Sequence, residues 1–157
     1  MTFLPAAANT GIRFRRVDLE GKPEIEARIE NVTETNRSTT IARGGAKIHT
    51  VEHVLAAFAG MEVDNAIVEL DSNEPPIADG SARKYCRLIE SAGIVAQAEQ
   101  REPYTVTAPL ELESGESMMS IFPHDRLKIT CTSADKAGRF TQFFSLEISP
   151  ETWRTEL

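Results

Sequence analysis

Residues 47–60, Lys-Ile-His-Thr-Val-Glu-His-Val-Leu-Ala-Ala-Phe-Ala-Gly, bring two histidines and a carboxylate together in His49-Thr-Val-Glu52-His53. The segment after them has helical spacing. Val54, Leu55 and Phe58 form an apolar stripe, the alanines favour helix, and Gly60 is a natural stop. Thr50 is the expected N-cap, its hydroxyl closing an open amide. Glu52 and His53 then fall in the first turn, where the helix dipole favours a carboxylate. An imidazole beside a carboxylate at a helix mouth has the chemistry of a metal ligand beside a general base.

Reading outward toward the N-terminus, Ala46-Lys-Ile48 and Thr39-Thr-Ile-Ala42 flank Arg43-Gly-Gly45, which predicts a β-hairpin. Residues 31–37 are polar and turn-like. Residues 24–30 alternate as a half-buried strand. Residues 9–23 read as turn, strand and turn, with Ile12, Phe14 and, through a bulge, Val17 facing inward. Arg13, Arg15 and Arg16 are expected on the solvated face of that strand.

Toward the C-terminus, residues 64–71 predict a strand built on Ile67, Val68 and Leu70. Residues 73–81 are dense in turn formers. Asp79 or Ser81 then caps a second helix over 82–92, with Tyr85, Leu88 and Ile89 on its inner face and Gly93 as its end. The pattern lapses into polar residues around 96–102, the expected boundary between domains 1–97 and 98–157. Strands are expected at 104–108, 110–113, 117–122, 127–132 and 139–147. Turns are expected at 114–116 and 137–138. Ser149 caps a third helix, with Pro150 at its first position.

Composition bounds the function. The 157 residues are 41% hydrophobic and 26% charged, an ordinary globular profile. A net charge of −7 argues against a nucleic-acid surface, which needs a basic patch. No apolar run reaches the ~20 residues that span a bilayer, and the first residues lack the pattern of a signal peptide. Cys86 and Cys131 match no metal or redox spacing and are expected as buried thiols in a reducing cytosol. His124, in a turn, is expected at the surface.

His49-x-x-Glu52-His53 matches the HxxEH pattern of zinc peptidases, in which both histidines lie one helical turn apart. That pattern conflicts with a helix starting after Thr50, which leaves His49 outside. His53 reads either as a metal ligand or as a half-buried helix histidine without one. Catalytic zinc usually takes about three protein ligands. The chain has only three histidines, His49, His53 and His124. One good metal position is therefore visible, without a complete site. A non-catalytic α/β binding module is the further alternative.

Five blocks together are more specific. Thr50-Val-Glu-His-Val-Leu-Ala-Ala-Phe-Ala-Gly60 is followed by Val63-Asp-Asn-Ala-Ile-Val-Glu69 and Pro75-Pro-Ile-Ala-Asp-Gly-Ser-Ala82. Asn9-Thr-Gly-Ile-Arg-Phe-Arg-Arg-Val-Asp18 precedes them, and Gly138-Arg-Phe-Thr-Gln-Phe-Phe-Ser145 comes near the end. This sequence resembles the UDP-3-O-acyl-N-acetylglucosamine deacetylases, the zinc amidases of lipid A biosynthesis. The last block is most similar to forms fused to a 3-hydroxyacyl-[acyl-carrier-protein] dehydratase.

The resemblance implies an α+β fold of the ribosomal protein S5 domain 2-like kind. Each of two similar domains would be a two-layer sandwich of a sheet on helices, with the active site between the helical layers. It implies Glu52 as general base, His53 as a ligand of Zn2+, and a UDP-3-O-acyl-N-acetylglucosamine substrate. It also implies a cytoplasmic, monomeric enzyme, and it gives His49 no ligand role. The family's other two zinc ligands, in a His-Lys-x-x-x-Asp helix, are absent here, as is its later general-acid histidine. So is the Gly-x-Gly-Leu-His-Thr-Gly block expected before Phe3. The sequence is therefore expected to be the first domain, lacking its N-terminal strand block, plus the opening of the second, and to be inactive alone.

Overall fold

The computed structural model describes residues 1–135 and 137–156. It divides into two compact units, Met1–Glu99 and Gln100–Leu157.

The first unit is built on a four-stranded mixed sheet of order β1-β7-β2-β3. Its strands are β1 (Thr2–Pro5), β2 (Ile12–Arg16), β3 (Glu24–Glu26) and β7 (Ala66–Leu70). β7 runs parallel to β2, with Phe14 opposite Val68, and antiparallel to β1, with Phe3 opposite Val68. That face is covered by α1 (Glu52–Gly60) and α2 (Arg83–Ala92). The Phe3 ring packs at a tilt against Phe58 of α1 and Tyr85 of α2, with centroids 4.9 and 6.4 Å apart. Phe14, Val68, Leu70, Val54, Ala57, Phe58, Tyr85 and Ile89 fill the space between. Sheet and helices thus make the two-layer α+β sandwich expected.

A second, three-stranded sheet holds β4 (Val32–Glu34), β5 (Thr40–Arg43) and β6 (Ala46–Ile48). β5 and β6 form the expected hairpin around Gly44 and Gly45, whose φ values of 57° and 84° suit a two-residue type I′ turn. Ile41 and Ile48 are opposite each other and buried. Each contributes roughly 1.5–3 kcal/mol by leaving water.

Several expectations need correction here. Thr2–Pro5, given no element from sequence, is an edge strand. The strand predicted for 24–30 ends at Glu26, where a 3-10 turn, Ile29–Asn31, takes over and leaves Ile29 exposed. The turn predicted for 31–37 contains β4. No bulge carries Val17 inward. Simple alternation puts Arg16 on the Phe14 face, where it is 8% exposed. Leu88 of α2 lies outside the buried stripe.

The arginines of β2 are not a solvated face. Arg13 pairs with Glu26 at 2.9 Å, and Arg15 pairs with both Glu24 and Glu69 across the neighbouring strands. Opposite charges on adjacent strands are the sheet's counterpart of helical ion pairs. Buried Arg16 needs a partner more than the others do. It donates Nε and Nη2 to the two oxygens of Asp18, at 2.8 and 2.7 Å, and Nη1 to the carbonyl of Lys47 at 2.8 Å.

The second unit holds two hairpins and a helix. β8 (Leu110–Ser114) pairs with β9 (Ser117–Ile121), turning at Gly115 as predicted. β10 (Lys128–Ser133) pairs with β11 (Gln142–Glu147), with Ala137 and Gly138 in the connection. α3 spans Pro150–Glu156. Its expected cap is present, with Ser149 Oγ accepting from the Thr152 amide at 3.1 Å. No strand forms at 104–108, where Tyr104 is exposed. Cys86 is half-buried and Cys131 exposed, so the expected burial of both thiols is incorrect, and neither is in a disulfide.

Candidate functional site

The hairpin delivers the chain into α1 through a strained joint. Thr50 has φ 54°, a left-handed conformation that costs a β-branched residue about 1–2 kcal/mol. Such a residue persists only where its surroundings fix it. Here the His49 amide donates to the Asn73 carbonyl at 2.8 Å, and Thr50 Oγ1 donates to Glu74 Oε1 at 2.6 Å. The Val51 amide donates to the Thr39 carbonyl at 3.2 Å. Residues before, at and after the joint are therefore all tied down.

Thr50 is consequently not the N-cap. Val51 holds that position, with no side-chain capping bond, and the Thr50 hydroxyl faces the 73–81 loop instead. The reason is the positive φ, which turns Thr50 away from the first helical amides.

Glu52 opens α1 and is half-buried. Its Oε2 accepts the Thr39 backbone amide at 2.9 Å. The dipole of α1 favours its negative charge. His53 follows in the same turn and is half-exposed, and among the described residues its ring has no hydrogen-bond partner. An accessible imidazole without a partner is fit to coordinate a metal. The two residues predicted to carry chemistry are thus both available at one helix mouth.

His49 behaves differently. It precedes α1, and its Nδ1 is 3.0 Å from the hydroxyl of fully buried Thr40. It therefore does not share a helix turn with His53, and the peptidase reading of HxxEH loses its geometric basis. His124 is exposed, as expected, and contacts the Arg126 backbone.

Sequence reading missed Thr39 and Thr40. A signal for the second was present. The Gly44-Gly45 turn sets Ile41 opposite Ile48, so Thr40 must fall opposite His49. No local signal reveals the Thr39 amide, because its partner lies 13 residues away.

Around the site, Asp79 accepts from the Ser81 amide and hydroxyl at 3.2 and 2.8 Å, and these bonds hold its carboxyl below the usual range. Tyr85 donates its hydroxyl to the Pro76 carbonyl. Burial pushes that phenol above its ordinary pKa, as do the charges of Asp79 and Glu74. A cleft of about 450 Å³ is lined by His49 together with Arg16, Asp18, Lys47, Asp71 and Asn73. Glu52 and His53 are not in its lining.

Zinc is the group that the resemblance implies. Among the described residues no group of three or more His, Cys, Asp or Glu side chains could hold a metal ion. His53 alone falls short of the roughly three protein ligands that a catalytic zinc takes. The residues present do not make a zinc site by themselves.

Comparison with known proteins agrees with the resemblance. The chain is 46% identical over 132 residues to the UDP-3-O-acyl-N-acetylglucosamine deacetylase of Methylococcus capsulatus, covering 84% of this chain and 43% of that protein. It is 42% identical to the protein of the same name from Saccharophagus degradans, covering 84% and 44% respectively. For that of Nitrosococcus oceani the identity is 45%, covering 83% and 43%. The chain thus spans less than half the length of these relatives. The sequence profile of the UDP-3-O-acyl N-acetylglycosamine deacetylases matches residues 1–157, and the chain belongs to that family.

Proposed function

We propose that residues 1–157 supply two parts of a zinc-dependent deacetylase site, Glu52 as general base and His53 as one metal ligand. The substrate is UDP-3-O-(3-hydroxyacyl)-N-acetylglucosamine. Its acetamide is hydrolysed to the free amine and acetate, a step of lipid A biosynthesis, in the cytoplasm and by a monomer. The observation carrying this reading is the pairing, in the first turn of α1, of Glu52 with a half-exposed and unpartnered His53 ring. The names of the relatives support the substrate.

A zinc ion held in part by His53 would supply an acidified water and a Lewis acid for the carbonyl. Glu52 accepts a proton from the water that attacks the acetamide carbon. Its carboxylate reaches that task already oriented, because the Thr39 amide holds Oε2 and leaves Oε1 for the water. Among the described residues, the other ligands that a catalytic zinc takes are not present. The domain division 1–97 and 98–157 is part of the same proposal.

The test is turnover and metal content. In the intact, zinc-loaded gene product, Glu52→Gln lowers kcat by about 10²–10⁴-fold, the usual worth of a positioned base. His53→Ala lowers bound zinc, measured by atomic absorption. The 157-residue chain alone shows no turnover. Full turnover in E52Q, or unchanged zinc in H53A, overturns the assignment.

A further inference from the structure

We propose that Thr40 and His49 are positioning residues, a side-chain staple that holds the Thr39 amide against the Glu52 carboxylate. The inference rests on Glu52 being the base and goes beyond it.

Backbone pairing in the β5–β6 hairpin ends at Ile41 and Ile48. One residue further, Thr40 and His49 face each other, and there the link is made by side chains, Thr40 Oγ1 to His49 Nδ1 at 3.0 Å. Thr40 is 0% exposed, so its hydroxyl has no water to exchange this bond for. The next residue, Thr39, is where β5 meets α1. Its amide donates to Glu52 Oε2 at 2.9 Å, and its carbonyl accepts from the Val51 amide at 3.2 Å. Both backbone polar groups of Thr39 are thus spent on the first turn of α1.

The staple fixes the spacing between the two strand ends at the point where they separate. Without it, the pairing to β6 ends at Ile41, and beyond that point β5 is held only from its other side, where Thr40 is opposite Glu34 of β4. Thr39 can then draw away from Glu52, and the carboxylate gains a rotamer that the amide now excludes. The left-handed Thr50 lies between His49 and Val51, so the staple also supports the joint's strained turn. A loss of this kind alters the orientation of the base and leaves its identity untouched, which is a change in kcat more than in KM.

Thr40→Val removes the hydroxyl at nearly constant shape, and Thr40→Ser restores it. Amide hydrogen exchange on the 157-residue chain reads the staple directly. In T40V the Thr39 amide is expected to exchange at least about tenfold faster, while Phe14 and Val68 in the main sheet keep their protection; T40S recovers Thr39. Should T40V fail to fold, His49→Ala against His49→Asn serves in its place, since the asparagine amide keeps a polar atom near the Nδ1 position. In the intact zinc-loaded gene product, T40V is expected to lower kcat about tenfold with KM moved less than twofold. Thr39 protection unchanged, or lost in step with Val68, overturns the staple. Lost protection with full turnover in T40V overturns its positioning role and leaves the base assignment standing. Full turnover in E52Q overturns the base assignment itself, and the exchange data still report whether the staple exists.

Discussion

Two residues of the first unit show how much depends on where a side chain is held. Arg16 alternates onto the core face of β2, and its bidentate bond to Asp18 is what makes that burial tolerable. The same bond holds the Asp18 carboxyl below its ordinary range. A depressed carboxylate stabilises the fold above its unfolded pKa, near 3.9, and loses that contribution as pH falls through the folded value. The melting temperature is therefore expected to drop on acidification below about pH 4, and Asp18→Asn to flatten part of that drop, as read by circular dichroism. Tyr85 has the opposite sign. Its phenol is raised, so its contribution is complete below pH 10 and is lost as pH rises above it. Tyr85→Phe leaves the Pro76 carbonyl without its donor and is expected to cost about 1 kcal/mol in urea denaturation at neutral pH.

At the scale of elements, the hairpin and the central strands play different parts. β2 and β7 carry the core, and Phe14 sits against Val68 with no exposed surface. Phe14→Ala is expected to cost about 3–5 kcal/mol in chemical denaturation, because a hydrogen-bonded sheet packed under two helices collapses poorly into the cavity. The β5–β6 hairpin carries the geometry of the site. Gly45 has φ 84°, and a branched side chain there opposes the turn that sets the register. Gly45→Val is expected to cost about 1–2 kcal/mol of stability and also to speed exchange of the Thr39 amide. A cost in stability with Thr39 unaffected would show that register at the turn does not reach the helix mouth.

Over the whole molecule, the two units differ in how they bury apolar surface. In Met1–Glu99 the large side chains converge on one core. In Gln100–Leu157, Leu112, Met118, Met119, Leu127 and Phe143 are each more than 60% exposed. So many exposed large apolar side chains are uncommon on isolated domains. The native 157-residue chain is therefore expected to bind a hydrophobic dye at neutral pH, and Leu112→Lys with Phe143→Lys to reduce the signal. The segment 101–109 forms no helix or strand and is exposed apart from Val106. Brief digestion with a glutamate-specific protease is expected to cut at Glu99 or Glu102 and leave a product near residues 1–99 with its own melting transition. Cuts spread through 1–99 at the same rate would contradict an independent core.

Local chemistry determined the elements that depend on it. The Gly-Gly turn, the alanine-rich helix ending at Gly60, the Ser149-Pro150 start of α3 and the Glu52-His53 pair at a helix mouth all follow from neighbours in the chain. Tertiary structure alone decided what depends on distant partners. Thr50 read as a cap because its hydroxyl is chemically suited to one, yet contacts with Asn73, Glu74 and Thr39 hold its backbone left-handed and send that hydroxyl elsewhere. Arg16 read as solvated because it is charged, yet strand alternation buries it and Asp18 accepts the charge. Thr2–Pro5 has too few residues to carry a period, and only pairing with β7, more than 60 residues away, makes it a strand. Propensity acts within a turn or two of chain, whereas a buried polar group takes whichever partner the fold brings to it.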